Sequence, residues 1–187
     1  MRFGIDINEV LYDFVGEFAR FIHGQTGKPL ADMPKPSAWD FAGEWGLTGD
    51  EWLKHFHAFE GSGAFRHGDP KPDAVRVLGR LSEGGHRVTL ITARGCERGS
   101  GMTGRQNQVR GDTLHWLARH AIPHHDLFFT NDKPSLRADV FLDDAEHHLI
   151  ALEKAGVRGV CFNAGHNQGW RGERVRDWRE FERLVLR

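Results

Sequence analysis

Cysteine is scarce, with Cys96 and Cys161 alone in 187 residues. Two thiols cannot build a framework of bridges, so a disulfide-stapled scaffold is excluded and a reducing, cytoplasmic setting is expected. Long apolar runs are missing too. None nears the ~20 residues that a membrane-crossing helix needs. The opening MRFGIDINEVLYDF carries Asp6 and Glu9 where a secretory leader would have a basic start and an unbroken apolar core. No membrane partner is therefore expected. An excess of charge of either sign is also lacking: the formal net charge is −1. That balance gives no electrostatic hold on long nucleic acid. Internal repeats and low-complexity tracts are absent.

What remains is an ordinary globular composition, 39% hydrophobic and 27% charged. A chain of this size buries roughly 70% of its unfolded surface and folds without a metal or disulfide staple. Short apolar runs alternate with amphipathic stretches. Strands are expected at Phe3–Ile7, Arg87–Thr92, Leu127–Thr130, Val140–Leu142 and Val157–Phe162. Helices are expected at Glu9–His23 (stopped by Gly24 and Gly27), Gly49–Phe59, Pro72–Glu83, Gln106–His120, Ala145–Ala155 and Val175–Leu186. Thr48 and Glu51 have the spacing of a capping box. Gly95–Gly104 reads as a mobile surface loop. It lacks the order of a phosphate-binding GxxxxGK[ST] loop.

Five apolar strands separated by helices predict an α/β fold, a Rossmann-like parallel sheet covered on both faces. Residues 28–68 break the alternation. They are Pro-rich at first, then dense in aromatics, and read as a small helical insertion between core segments 1–27 and 69–187. Ligands of such sheets sit beyond the carboxyl ends of the strands. Each of those ends is polar here: Asp6-Ile7-Asn8-Glu9-Val10 after the first strand, Thr92-Ala93-Arg94 after the second, Lys133 past the third, and Asp143-Asp144 closing the fourth. Carboxylates suit a hard divalent cation, and an ammonium and a hydroxyl suit phosphoryl oxygens. Each group also has a plain structural reading. Asp6 or the Asp143-Asp144 pair can cap a helix, Lys133 can be a surface lysine, Arg94 can bind phosphate or sit in a surface salt bridge, and Glu9 and Asp13 read as helix-face charges. Twelve histidines include the pairs His124-His125 and His147-His148, yet no HExxH or Cys-x-x-Cys supports a zinc site.

The four strand-end motifs, in this order, resemble those of the haloacid dehalogenase superfamily of phosphotransferases. Within it, ITAR at 91–94, ADVFLDD at 138–144 and FNAGHNQGW followed by VRDWREFERL are most similar to the 5'(3')-deoxyribonucleotidase group. The resemblance spans nearly the whole chain and is weakest at 28–68, where the family has its small helical cap. It implies an aspartyl-phosphate route with Asp6 as nucleophile, Thr92 and Lys133 holding the phosphoryl group, and Mg²⁺ bound by Asp6, the backbone carbonyl of Asn8, and Asp143 or Asp144. It also implies a small phosphomonoester substrate, a nucleoside monophosphate first, with Ala93 and Arg94 near the phosphate and Trp39, Phe41 and Trp45 as candidates to stack on a base. A homodimer is compatible with this reading.

One position departs from the pattern. The second aspartate of the family's first motif is its acid–base group, and this chain has Asn8 there. An amide exchanges hydrogen bonds but has no useful pKa. The departure is either a natural loss or rerouting of that step, or an introduced change. It keeps open a catalytically silent phosphate or nucleotide binder, as well as a phosphatase for a sugar phosphate or a nucleic-acid 3'-phosphate.

Overall fold

The computed structural model describes residues 1–96 and 104–186. Its centre is one sheet of six strands, all parallel: β1 (Arg2–Ile5), β2 (Arg87–Thr92), β3 (Asp126–Phe129), β4 (Val140–Asp143), β5 (Arg158–Phe162) and β6 (Arg174–Val175). Their order across the sheet is β3-β2-β1-β4-β5-β6. The first strand therefore lies inside, flanked by β2 and β4, with Ile5 in register with both Leu90 and Leu142. Strands buried on both faces read as unbroken apolar runs.

Five strands were legible in the sequence; β6 was not. It has two residues, paired to β5 at Cys161 and Phe162, and falls where the closing helix was expected to start. That helix, α6 (Trp178–Val185), begins later, where the Asp177 carboxylate accepts the N–H of Glu180 as a cap. The first helix, α1 (Phe14–Thr26), also starts later than its apolar spacing suggested. Residues 7–12 form a tight loop instead, in which the N–H groups of Leu11 and Tyr12 both donate to the Ile7 carbonyl and Glu9 takes φ 56°. Val10, Leu11 and Tyr12 are buried by that loop, so they mimic a helical face without a helix. The stop of α1 is Gly27 (φ 74°), whereas Gly24 lies within the helix. The remaining helices are α2 (Gly49–Gly61), α3 (Ala74–Glu83), α4 (Gly104–Arg119) and α5 (Glu146–Lys154). The Thr48–Glu51 capping box opens α2, with Thr48 Oγ1 accepting from Glu51 N–H. Most of the loop expected at 95–104 lies outside the described residues.

Side chains on the two faces of the sheet enter different clusters. Phe3, Ile5, Val88, Leu90, Val140 and Leu142 join the large core, which also takes in Phe18 and Ile22 of α1, Val77 and Leu81 of α3, Trp116 of α4, Phe181 of α6, and Met33, Phe41, Trp45, Phe59 and Phe65 from segment 28–68. On the other face Ile91 and Phe141 meet Leu152 of α5. Besides α2, segment 28–68 holds short 3-10 turns at Leu30–Asp32, Gly43–Trp45 and Ala64–Arg66.

Gly4 shows how tightly the central strand is packed. A Cβ there would lie 2.5 Å from the ring of Phe141 on the neighbouring strand. Gly111, inside α4, has nothing within 4 Å of such a Cβ. Gly4→Ala should destabilise the fold by about 1–3 kcal/mol through overpacking. Gly111→Ala should stabilise it by about 0.5–1 kcal/mol, because alanine gives up less backbone entropy in a helix. Urea midpoints of the two variants, moving in opposite directions, check this.

Candidate active site

The polar groups at the strand ends converge. Asp6 follows β1, and its N–H donates to the Leu142 carbonyl (3.0 Å), which fixes it beside β4. Lys133, in the turn after β3, is 1% exposed and places Nζ 2.9 Å from Asp6 Oδ1 and 2.7 Å from Asp143 Oδ2. Asp143 Oδ1 also accepts the Ala145 N–H (3.0 Å), and His148 Nδ1 lies 3.3 Å away. The neighbouring carboxylate, Asp144, has Oδ2 2.9 Å from His166 Nε2. Thr92, the last residue of β2, is buried beside them. Lys133 is thus not a surface lysine, and Asp6 makes no helix cap.

Burial and charge set the state of these groups. Desolvation, with Asp143 and Asp144 nearby, raises the Asp6 carboxyl to about 7 despite the opposing pull of Lys133. Burial works against the charge on Lys133, but Asp143 and Asp6 outweigh it and hold the ammonium protonated. Asp143 is likewise desolvated, yet Lys133 and His148 keep it below the usual carboxylate range. Burial lowers the basicity of His166, and Asp144 more than restores it. Asp6, Asp143 and Asp144 each offer an oxygen within 4.8 Å of the others'. One lysine contacts two of these three buried carboxylates, which leaves an excess of negative charge and a set of oxygen donors. That set fits a hard divalent cation, which favours oxygen ligands.

A cavity of about 350 Å³ opens over this cluster, within the range of small-ligand sites. Asp6, Asn8, Thr92, Ala93, Lys133 and Asp144, all from the strand ends, line it. Phe14, Val15, Trp39, Phe41, Trp52 and Phe56 line it as well, together with Glu9, Asn131, His147, His148 and His166. Trp39 is 57% exposed and sets its edge against His147 and His166, while Phe41 is nearly buried. Trp45, grouped with these two by sequence, is placed differently. It is 1% exposed, donates from Nε1 to the Pro34 carbonyl and packs on Phe18 and Phe41, so it fills the core and has no face for a ligand. Trp52 and Phe56, stacked at 5.0 Å on one face of α2, reach the cavity instead. Their four-residue spacing marks one helix face, but the sequence does not say which way that face points.

Two further placements depart from the sequence reading. Glu9 is no helix-face charge. From its left-handed loop position it faces the cavity, accepts the Val15 N–H at 2.8 Å through Oε1 and lies 3.4 Å from Lys71 Nζ through Oε2. It thereby caps α1, while Asp13 at the formal cap position makes no side-chain bond to the helix. Arg94 is neither in a surface salt bridge nor on the cavity wall. It is 4% exposed, and its Nε donates to Asn8 Oδ1 at 2.7 Å. Of the Asp143-Asp144 pair, between which the sequence does not choose, Asp144 lines the cavity and Asp143 does not.

The model of the family described as 5' nucleotidase, deoxy (pyrimidine), cytosolic type C matches residues 1–187. A Chlorobaculum tepidum protein provisionally named a 5'(3')-deoxyribonucleotidase is 27% identical over 184 residues, covering 97% of this chain and 88% of that protein. A 5'(3')-deoxyribonucleotidase of Bacillus subtilis is 36% identical over 76 residues, 39% of this chain and 42% of its own length. Among solved structures, a haloacid dehalogenase-like hydrolase of Streptococcus pneumoniae superposes with a TM-score of 0.63 at 11% identity, covering 98% of this chain and 97% of that one. A haloacid dehalogenase-superfamily hydrolase of Geobacter sulfurreducens does so with a TM-score of 0.58 at 18% identity, covering 98% of both. Fold, clustered strand-end residues and family match agree: the chain belongs to the 5'-deoxynucleotidase type C family of haloacid dehalogenase-like phosphatases, hydrolases of phosphoric monoesters.

Proposed function

We propose that the protein is a Mg²⁺-dependent nucleotidase that hydrolyses deoxyribonucleoside monophosphates through a phosphoryl-Asp6 intermediate. The observation that carries this reading is the contact of one buried ammonium, Lys133, with both Asp6 and Asp143 at a cavity lined by the strand-end polar groups and by aromatic rings. The Asp6 carboxylate attacks phosphorus, an Asp6 oxygen–phosphorus bond forms, the ester bond breaks and its electron pair leaves with the nucleoside oxygen. Lys133 and Thr92 hold the phosphoryl oxygens as charge moves among them. Asp6, the Asn8 carbonyl and Asp144 would hold Mg²⁺, which supplies positive charge against the phosphoryl oxygens. Water then cleaves phosphoryl-Asp6. Segment 28–68 acts as the cap, and Trp39, Phe41, Trp52 and Phe56 receive the base. The near-neutral charge and the aromatic lining of the cavity favour a small substrate over a nucleic-acid 3'-phosphate.

Asn8 supports a second reading, a phosphate or nucleotide binder without turnover, because the side chain has no proton to trade. Positioned acid–base catalysis is worth about 10²–10⁴-fold. Asn8→Asp should therefore raise kcat on nucleoside monophosphates by about that factor with KM little changed. A silent Asn8→Asp protein that still binds Mg²⁺ would favour the binder.

Two further outcomes are expected. Asp6→Ala and Asp144→Ala should each abolish Mg²⁺ binding measured by calorimetry, and retention in both would place the cation elsewhere. Lys133→Met should cut kcat by about 10²–10³-fold, as for loss of one group stabilising transition-state charge. It should also lower the urea midpoint, since Asp6 and Asp143 lose their buried partner.

A further inference from the structure

Arg94 is hard to explain as packing alone. It follows Thr92 by two residues, and its N–H donates to Thr92 Oγ1 at 3.3 Å. Its side chain turns inward rather than toward solvent. The guanidinium carbon lies 4.4 Å from the ring centre of Tyr12 and 4.2 Å from that of Phe65. Nη1 donates to Thr113 Oγ1 at 3.4 Å, and Nη2 is buried with no hydrogen-bond partner among the described residues. No carboxylate pairs with it within 4 Å among those residues. An unpaired, desolvated guanidinium costs several kcal/mol, which contact with two ring faces offsets only in part. Its short contact is the one from Nε to Asn8 Oδ1, at 2.7 Å.

That contact fixes the Asn8 side chain. A guanidinium has donors only, so the amide atom facing it must be the oxygen. Turning the amide over would set N–H against N–H. Nδ2 therefore occupies the other branch, on a residue that lines the cavity with Asp6, Thr92 and Lys133. A cation on the amide oxygen also polarises the amide and strengthens its N–H groups as donors.

We propose that Arg94 is a positioning residue that holds the Asn8 amide so that Nδ2 donates to the ester oxygen of the bound phosphomonoester. This rests on the phosphomonoesterase reading above and gives Asn8 an electrostatic task in place of proton transfer. As the Asp6 oxygen–phosphorus bond forms and the ester bond breaks, the electron pair stays on the leaving oxygen. Nδ2 steadies that charge with a hydrogen bond and keeps its own proton, and a water molecule supplies the proton that completes the alcohol. Such help matters most for a poor leaving group.

The test compares Asn8→Ala, Arg94→Met and the double variant on a nucleoside monophosphate and on p-nitrophenyl phosphate, with Mg²⁺. Each single change should lower kcat on the nucleotide by about 10²-fold, the usual cost of one such donor. KM should move little, the loss on the nitrophenyl ester should be at least tenfold smaller, and the double variant should be no worse than either single one. Arg94→Lys, which keeps a charged donor, should recover part of the rate. Equal losses on both esters, or losses that multiply in the double variant, would overturn the proposal. A second readout needs neither turnover nor a folded variant. The side-chain amide protons of Asn8, followed by NMR in the intact protein already saturated with Mg²⁺, should shift when inorganic phosphate is added. An amide that phosphate leaves unmoved would also overturn it. Should no variant, Asn8→Asp included, hydrolyse any ester, the phosphomonoesterase reading fails, whereas a shifted Asn8 amide would still uphold the Arg94–Asn8 geometry toward phosphate.

Discussion

Lys133 bridges Asp6 and Asp143, and the rest of the site depends on that bridge. Three carboxylates buried at one edge of a sheet repel one another and have each lost their water. A single ammonium, 2.9 Å from one and 2.7 Å from another, makes the arrangement tolerable without neutralising it. The residual negative charge is the useful part. It suits a divalent cation, and it keeps Lys133 charged at the wall of the cavity. The sheet order serves this purpose. Because β1 lies between β2 and β4, the residues that leave those three strands are neighbours although 86 and 137 positions separate Asp6 from Thr92 and Asp143 in sequence.

Two rings of support surround the bridge. His166 and His148 each face one acid of the Asp143–Asp144 pair, and the backbone N–H of Ala145 holds Asp143 from the helix side. Glu9 ties the loop after β1 to the start of α1 and to Lys71, so the segment carrying Asp6 and Asn8 is fixed at both ends. Segment 28–68 shares the main apolar core instead of forming one of its own. Its loop rests on Gly165, where a Cβ would collide with the Pro36 carbonyl, so the backbone at 36–37 packs directly on the turn that carries His166.

The sequence made the strand-end groups legible because each follows an apolar run, and a parallel sheet carries the residues after such runs to one edge. Asp6, Thr92, Lys133 and Asp143-Asp144 needed nothing more. Other features needed tertiary information. The loop at 7–12 buries Val10, Leu11 and Tyr12 at spacings that imitate a helix, which hid the cavity-facing position of Glu9. Trp45 and Trp52 look equivalent as cap aromatics, yet one closes the core and the other faces the cavity, since the direction of α2 decides which face is covered. The Arg94–Asn8 contact joins residues 86 apart and has no local signature. The two-residue β6 pairs at Cys161 and Phe162 through its backbone, a partnership that the sequence pattern does not display.

The central claim is that Asp6, poised by Lys133, takes the phosphoryl group covalently. The most direct measurement mixes the protein with p-nitrophenyl phosphate and Mg²⁺, quenches with acid within the first turnover, and maps phosphorylation by peptide mass spectrometry. The account predicts a phosphoryl group on the Asp6 carboxylate, formed as nitrophenol is released, and none in the Asp6→Asn protein. Release of nitrophenol over the same interval with Asp6 unmodified would contradict it.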